Sequence, residues 1–193
     1  LAACMRALVR DGVTALPRYN FEAGRPDEET RELRLSDRAV VIFEGIHALH
    51  PIFSELLPQE NLRRVFINTL SPILEDGEKC LARRDIRLVR RLLRDERFRN
   101  SSPAETLAMW PSVMRGEMAY LFPHTDEVDA VIDTTHAYEP CVFAGELLPL
   151  LREVPASHPH AETARRLCRA LEGFEQLSVS VVPPDSILRE FLG

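Results

Sequence analysis

Residues 83–99 carry eight arginines against three acids, a segment charge of +5 in a chain whose formal net charge is −6. At 100° per residue, Arg83, Arg87, Arg90, Arg91 and Arg94 fall within about 100° of arc, with Ile86, Val89, Leu92 and Leu93 opposite. One helical face would bury and the other would be cationic. Continued by Arg97 and Arg99, such a face could clamp phosphoryl oxygens through planar guanidinium forks. The alternative is a solvated amphipathic face. The choice of Arg over Lys does not discriminate, since the chain has 23 Arg and one Lys. The scarcity of interleaved acids, Asp85, Asp95 and Glu96 alone, speaks for anion binding.

Two further groupings have chemical potential. Ala39 to Phe43 is a short apolar, β-branched run ending in Glu44-Gly45. An acid beyond the carboxyl end of a parallel strand is placed to hold magnesium or to act on a substrate proton, or is simply a strand-end acid. In Pro17-Arg18-Tyr19-Asn20-Phe21, two aromatics stand two residues apart. In an extended segment they would point the same way, either as a wall for a planar ring or as core anchors. His47 and His50 follow the Glu44-Gly45 turn, while His124, His136, His158 and His160 show no ligand or triad spacing. The four cysteines form no C-x-x-C pair and read as free thiols.

Elements that would position these residues follow from periodicity. Strands are expected at Ala39 to Phe43, Arg64 to Ile67 and Val128 to Ile132. Helices are expected at about 78–97, 103–119, 138–152 and 160–174. Ser102-Pro103 with Glu105 marks a helix start, and Val179 to Pro184 is an edge strand at best. Strands separated by helices imply a parallel sheet covered on both faces, in the α/β class. A length of 193 residues, 45% of them apolar, suits one domain. Pro155 to Pro159 separates a main part, 1–154, from a C-terminal helical extension, 155–193. No apolar run reaches membrane-spanning length and no signal-like N-terminus is present, so a cytoplasmic protein without a membrane partner is expected. The acidic balance argues against nucleic acid.

In order, Leu16-Pro17-Arg18-Tyr19-Asn20-Phe21, Val40-Val41-Ile42-Phe43-Glu44-Gly45-Ile46 and Asp85 to Asp95 resemble the motifs of the uridine kinase and phosphoribulokinase group of P-loop kinases. The likeness is strongest to bacterial nucleoside kinases with an N-terminal TGS region. It extends through Phe98-Arg99, Thr106 to Trp110, Pro111-Ser112-Val113, Arg115-Gly116-Glu117, Phe122-Pro123 and Ser186 to Phe191. The resemblance implies a three-layer parallel sheet of the P-loop nucleoside kinase type, truncated at its N-terminus and followed by C-terminal helices. It implies phosphoryl transfer from ATP to a nucleoside 5′-hydroxyl, with magnesium. Tyr19 and Phe21 would line the nucleoside pocket, and Glu44 would help hold magnesium. Arg91, Arg94 and Arg99 would belong to a lid closing on nucleoside and phosphates, with Glu44 and Arg94 closest to the chemistry.

Two departures stand out. Asn100 occupies a position where similar enzymes usually have Gly, and Ser101 one where shorter uridine kinases often have Arg. The chain also contains no G-x-x-x-x-G-K-[ST] loop, the device that cradles the β- and γ-phosphates. The expectation is therefore a truncated product, a deliberately shortened fragment or an incomplete gene model. Such a chain would be inactive alone, would bind no ATP tightly, and would self-associate as a homo-oligomer through an exposed sheet. The alternatives are a sugar-phosphate kinase resembling phosphoribulokinase and a non-catalytic scaffold or binding module.

Overall fold

The computed structural model describes residues 2–20, 25–55, 57–75 and 77–193. The chain divides into two compact units, residues 1–65 with 117–130, and residues 66–116 with 131–193.

The first unit opens with helix α1, Ala2–Asp11, which turns into strand β1, Val13–Asn20, through Gly12. Gly12 has φ of 68°, a left-handed conformation that glycine adopts without steric cost. Its N–H closes on Leu8 O at 3.0 Å and its carbonyl accepts from Leu35 N at 2.8 Å. Met5 and Leu8, one helical turn apart, are the buried side chains of α1. Strand β1 pairs antiparallel with β2, Arg25–Arg34, in a register running from Val13 opposite Arg34 to Asn20 opposite Arg25. That register slips between Pro17 and Tyr19, beside a proline that has no N–H to give the ladder. A short helix α2, Pro51–Ser54, starts at His50, whose Nδ1 accepts from Ile52 N at 3.2 Å. A 3₁₀ turn spans Phe122–Glu127.

The expected strand at 39–43 does not form. The segment is irregular, and Val40 and Ile42 are 87% and 84% exposed. An apolar extended run becomes a strand only when a neighbouring backbone supplies its ladder. Here Ala39 N instead closes a turn on Ser36 O at 3.1 Å.

Strand β3, Val65–Asn68, pairs in parallel with the later strand Ala130–Asp133, close to the expected positions. Arg64 O accepts from Asp129 N at 2.9 Å at one end of the pair, and Asn68 O accepts from Thr134 N at 2.9 Å at the other. The described strands form three two-stranded sheets, of which the other two are antiparallel hairpins. The fold is mixed α/β with a small parallel sheet.

The second unit contains the hairpin β4, Ile73–Glu75, and β5, Glu78–Leu81. Strand β5 displaces the expected start of the arginine helix, so α3 spans Arg83–Arg99. Asp85 Oδ2 accepts from Ala82 N at 3.0 Å, satisfying one orphan donor at the start of α3. Helix α4, Pro103–Tyr120, starts as expected. Ser102 Oγ accepts from Glu105 N at 3.3 Å while Glu105 Oε2 accepts from Ser102 N at 2.8 Å, a reciprocal capping box. After β6, Ala130–Asp133, come α5, Glu139–Arg152, and α6, Ala161–Glu172, both as expected. Val179–Val181 forms a 3₁₀ turn rather than an edge strand, and α7, Arg189–Leu192, follows.

The core of this unit gathers the apolar stripes of these helices. Ile86, Val89, Leu92 and Leu93 of α3 are all buried, as the helical periodicity predicts. They cluster with Phe143 and Leu147 of α5, Leu167 and Leu171 of α6, and Leu188 and Phe191 near α7. Residues 155–193 thus contribute to the same core as α3. No helix among the described residues is long and apolar enough to cross a membrane.

Candidate functional site

Helix α3 holds the densest set of functional candidates, and its six arginines from Arg87 onward divide into three environments. Arg90 is 6% exposed. Its Nε donates to Glu139 Oε2 at 2.7 Å and its Nη2 to Glu139 Oε1 at 3.0 Å, a bidentate buried pair. Nη1 reaches Thr134 Oγ1 at 3.0 Å, and the guanidinium carbon sits 5.2 Å from the centre of the Phe191 ring. Such saturation is what a buried guanidinium requires. Arg90 is a structural tie between α3, α5 and α7.

Arg94 and Arg97 bind neighbouring elements. Arg94 Nη1 lies 2.9 Å from Glu190 Oε1, Arg97 Nη2 lies 2.6 Å from Glu146 Oε2, and Arg97 Nη1 donates to Leu192 O. Arg87 Nη1 donates to Asn68 Oδ1 at 2.6 Å. Arg83 and Arg84 are exposed at the start of the helix.

Arg91 and Arg99 form the third environment, converging on one acid. Asp95 is 1% exposed although it sits mid-helix. Arg91 Nε lies 3.0 Å from Asp95 Oδ2 as an ion pair outside hydrogen-bond geometry. Arg99 Nη1 donates to Asp95 Oδ1 at 2.9 Å, and Thr106 Oγ1, from α4, to Oδ2 at 3.2 Å. The side chains of Arg91 and Arg99 remain 27% and 47% exposed. Two guanidinium groups are therefore held at one point with a net charge of +1, facing solvent. Planar N–H donors so placed can bind the oxygens of a phosphate or carboxylate.

The end of α3 fixes that pair. Asn100 adopts φ 49°, ψ 41°, the left-handed conformation, and closes the helix with its N–H on Asp95 O, joined there by Ser101 N at 3.1 Å. Only glycine or asparagine serves readily at such a cap.

No family model, curated protein or solved structure matches this chain.

The other expected site residues lie elsewhere. Tyr19 is in β1 with its Cα opposite Pro26, and Phe21 lies outside the described residues. Glu44 is exposed on the irregular segment, so the strand end that was to present it is absent. Gly45 follows with φ 139°. Magnesium keeps several waters and needs only one or two carboxylates beside phosphate oxygens. Glu44 has the right donor chemistry, but nothing in that segment fixes its carboxylate, and no group of three or more His, Cys, Asp or Glu able to hold a metal occurs among the described residues. The described residues around Glu44 do not fit a resident magnesium ion. His47 stands edge-on to Tyr120 at 5.1 Å between ring centres, and His50 to His124 at 5.3 Å.

A second polar cluster lies at the ends of the parallel strands. Asp133 accepts from Ser71 Oγ at 2.6 Å, Leu70 N at 2.9 Å, Thr135 N at 2.9 Å and Thr135 Oγ1 at 2.7 Å. Burial pushes its carboxyl pKa up, but the four donors outweigh burial and hold it well below the usual carboxylate range.

The Asp95 hub is the candidate feature that counting charges misses. Its signal is the spacing, an acid four residues after Arg91 and four before Arg99, with Thr106 placed on the next helix.

Proposed function

We propose that this chain is part of an ATP-dependent nucleoside kinase of the uridine kinase type, within the P-loop kinase class. It would serve transfer of a phosphoryl group to a nucleoside 5′-hydroxyl. In that reading the small parallel sheet belongs to a larger three-layer sheet, and the setting is cytoplasmic. ATP and magnesium belong to the donor side, whose Gly-rich loop is not in this sequence. The residues present serve the acceptor side.

The observation that carries the reading is the convergence of Arg91 and Arg99 on buried Asp95. Phosphoryl transfer depends on positioned cationic donors more than on covalent chemistry by the protein, and paired guanidinium groups meet that need. Asn100 adds support, because its left-handed conformation is the one that the Gly of similar enzymes would supply at this position. Asn is a substitution that keeps the geometry. Arg94, paired with Glu190, takes part only after exchanging that partner.

A non-catalytic binding module is the second reading. It is favoured by the engagement of Arg90, Arg94 and Arg97 in contacts within the chain. One titration separates the two. Calorimetry with uridine and with uridine 5′-monophosphate is expected to show binding of both, the monophosphate being tighter and weakened by Arg91→Ala and Arg99→Ala. Absence of binding of either ligand at millimolar concentration, with the protein folded, would overturn the kinase reading and leave the binding module.

A further inference from the structure

We infer that Asp95 is a positioning residue for this oxyanion site, acting through Arg91 and Arg99 without touching the ligand. The inference rests on the phosphotransfer reading above. An exposed i, i+4 ion pair on a helix contributes little and needs no burial. Asp95 is different, because its carboxylate is almost fully buried, accepts hydrogen bonds from Arg99 and from Thr106 of a second helix, and is ion-paired with Arg91.

The arrangement suits a support rather than a ligand contact. Arg91 approaches the carboxylate through Nε and Arg99 through Nη1. Each guanidinium has five N–H donors, so both keep donors for an incoming oxyanion. Two like charges side by side repel, and without a shared counter-charge the long side chains would separate into solvent. Asp95 offsets that repulsion and limits the rotamers that binding would otherwise have to freeze. Thr106, itself fully buried, fixes the carboxylate from α4. Asn100 and Ser101 donate their N–H groups to the Asp95 carbonyl, so the same residue also sets where α3 ends and Arg99 emerges.

Asp95→Asn separates positioning from charge by sign. The substitution raises the local charge by one, so electrostatics alone predicts tighter binding of uridine 5′-monophosphate. Positioning predicts binding weakened by about tenfold, with the circular dichroism spectrum unchanged. A folded Asp95→Asn protein that binds the monophosphate as tightly as wild type, or more tightly, would overturn the inference. Should that variant fold poorly, Thr106→Val removes one donor and changes no charge. It is expected to weaken binding by roughly threefold, and unchanged affinity would count against the role.

Failure of the kinase reading is distinguishable. If the wild-type protein binds neither uridine nor its monophosphate, that reading falls, and Asp95 is then judged by the arginine Nε–Hε resonances. Guanidinium rotation in Arg91 and Arg99 slowed in wild type and released in Asp95→Asn, or in Thr106→Val, supports positioning. Rotation equally fast in all of these overturns it.

Discussion

Arg90 and Glu139 meet in a bidentate pair at 2.7 and 3.0 Å inside the second unit, with both side chains almost wholly removed from water. Breaking such a pair strands a buried charge, which costs about 3–5 kcal/mol. Arg90→Met and Glu139→Leu are each expected to lower unfolding stability by that order in urea denaturation. The double variant should be more stable than either single one, because no charge is left uncompensated. A single-variant cost below about 1 kcal/mol would place the pair at the surface in solution.

Asp133 gives a pH dependence of definite sign. Its folded pKa lies below the unfolded value, so its contribution is present above the unfolded pKa of about 3.9 and is lost as pH falls toward the folded value. The urea midpoint of the wild type is expected to drop below about pH 4, and Asp133→Asn should flatten that drop. Equal slopes for the two proteins would show that the four donors do not favour the charged form.

Asn100 tests the left-handed cap. Asn100→Gly should leave stability within a few tenths of a kcal/mol, whereas Asn100→Ala should lose about 1 kcal/mol, because alanine keeps the Cβ that crowds the left-handed region and lacks the short polar side chain that lets asparagine occupy it. Thermal melts of the three proteins decide it. An alanine variant as stable as the parent would mean that α3 ends differently in solution.

The irregular segment at 39–43 is equally open to test. Ile42→Ser should shift stability by less than about 0.5 kcal/mol, as for an exposed side chain. A loss of about 2 kcal/mol or more would reveal a buried strand there.

The helices were legible because each writes its own signal locally. In α3 the buried Ile86, Val89, Leu92 and Leu93 recur at helical spacing, and α4 announces itself through Ser102, Pro103 and Glu105. Strands depend on partners distant in sequence. Val65 and Ala130 begin two strands that their apolar runs suggested, whereas Ala39 to Phe43 is a similar apolar run with no ladder. Strand β2 escaped notice because Arg25–Arg34 is polar along its length and lacks alternation. Its partner β1 carries Pro17, which marks edge or bulge positions rather than a regular strand.

At the candidate site, charge counting found the arginines but not their assignments. Arg90 lies on the flank of the cationic arc nearest Ile86, about 40° away at 100° per residue, and burial claims that flank. Arg91 and Arg99 are linked by an acid that a tally of charges records only as one negative unit. What organises the pair is the burial of Asp95, a tertiary property set by α4.

The parallel pair has a kinetic meaning. Arg64 and Asp129, which close one end of it, are 65 residues apart along the chain, while the hydrogen bonds of the helices between them span a single turn. Bringing such distant positions together sacrifices chain entropy before any ladder bond repays it. The strands should zip late, after the intervening helices have shortened the tether, so amides of β3 and β6 would gain protection last in a refolding pulse-labelling experiment. The register of β3 against β6 is thus a checkpoint on the order of assembly.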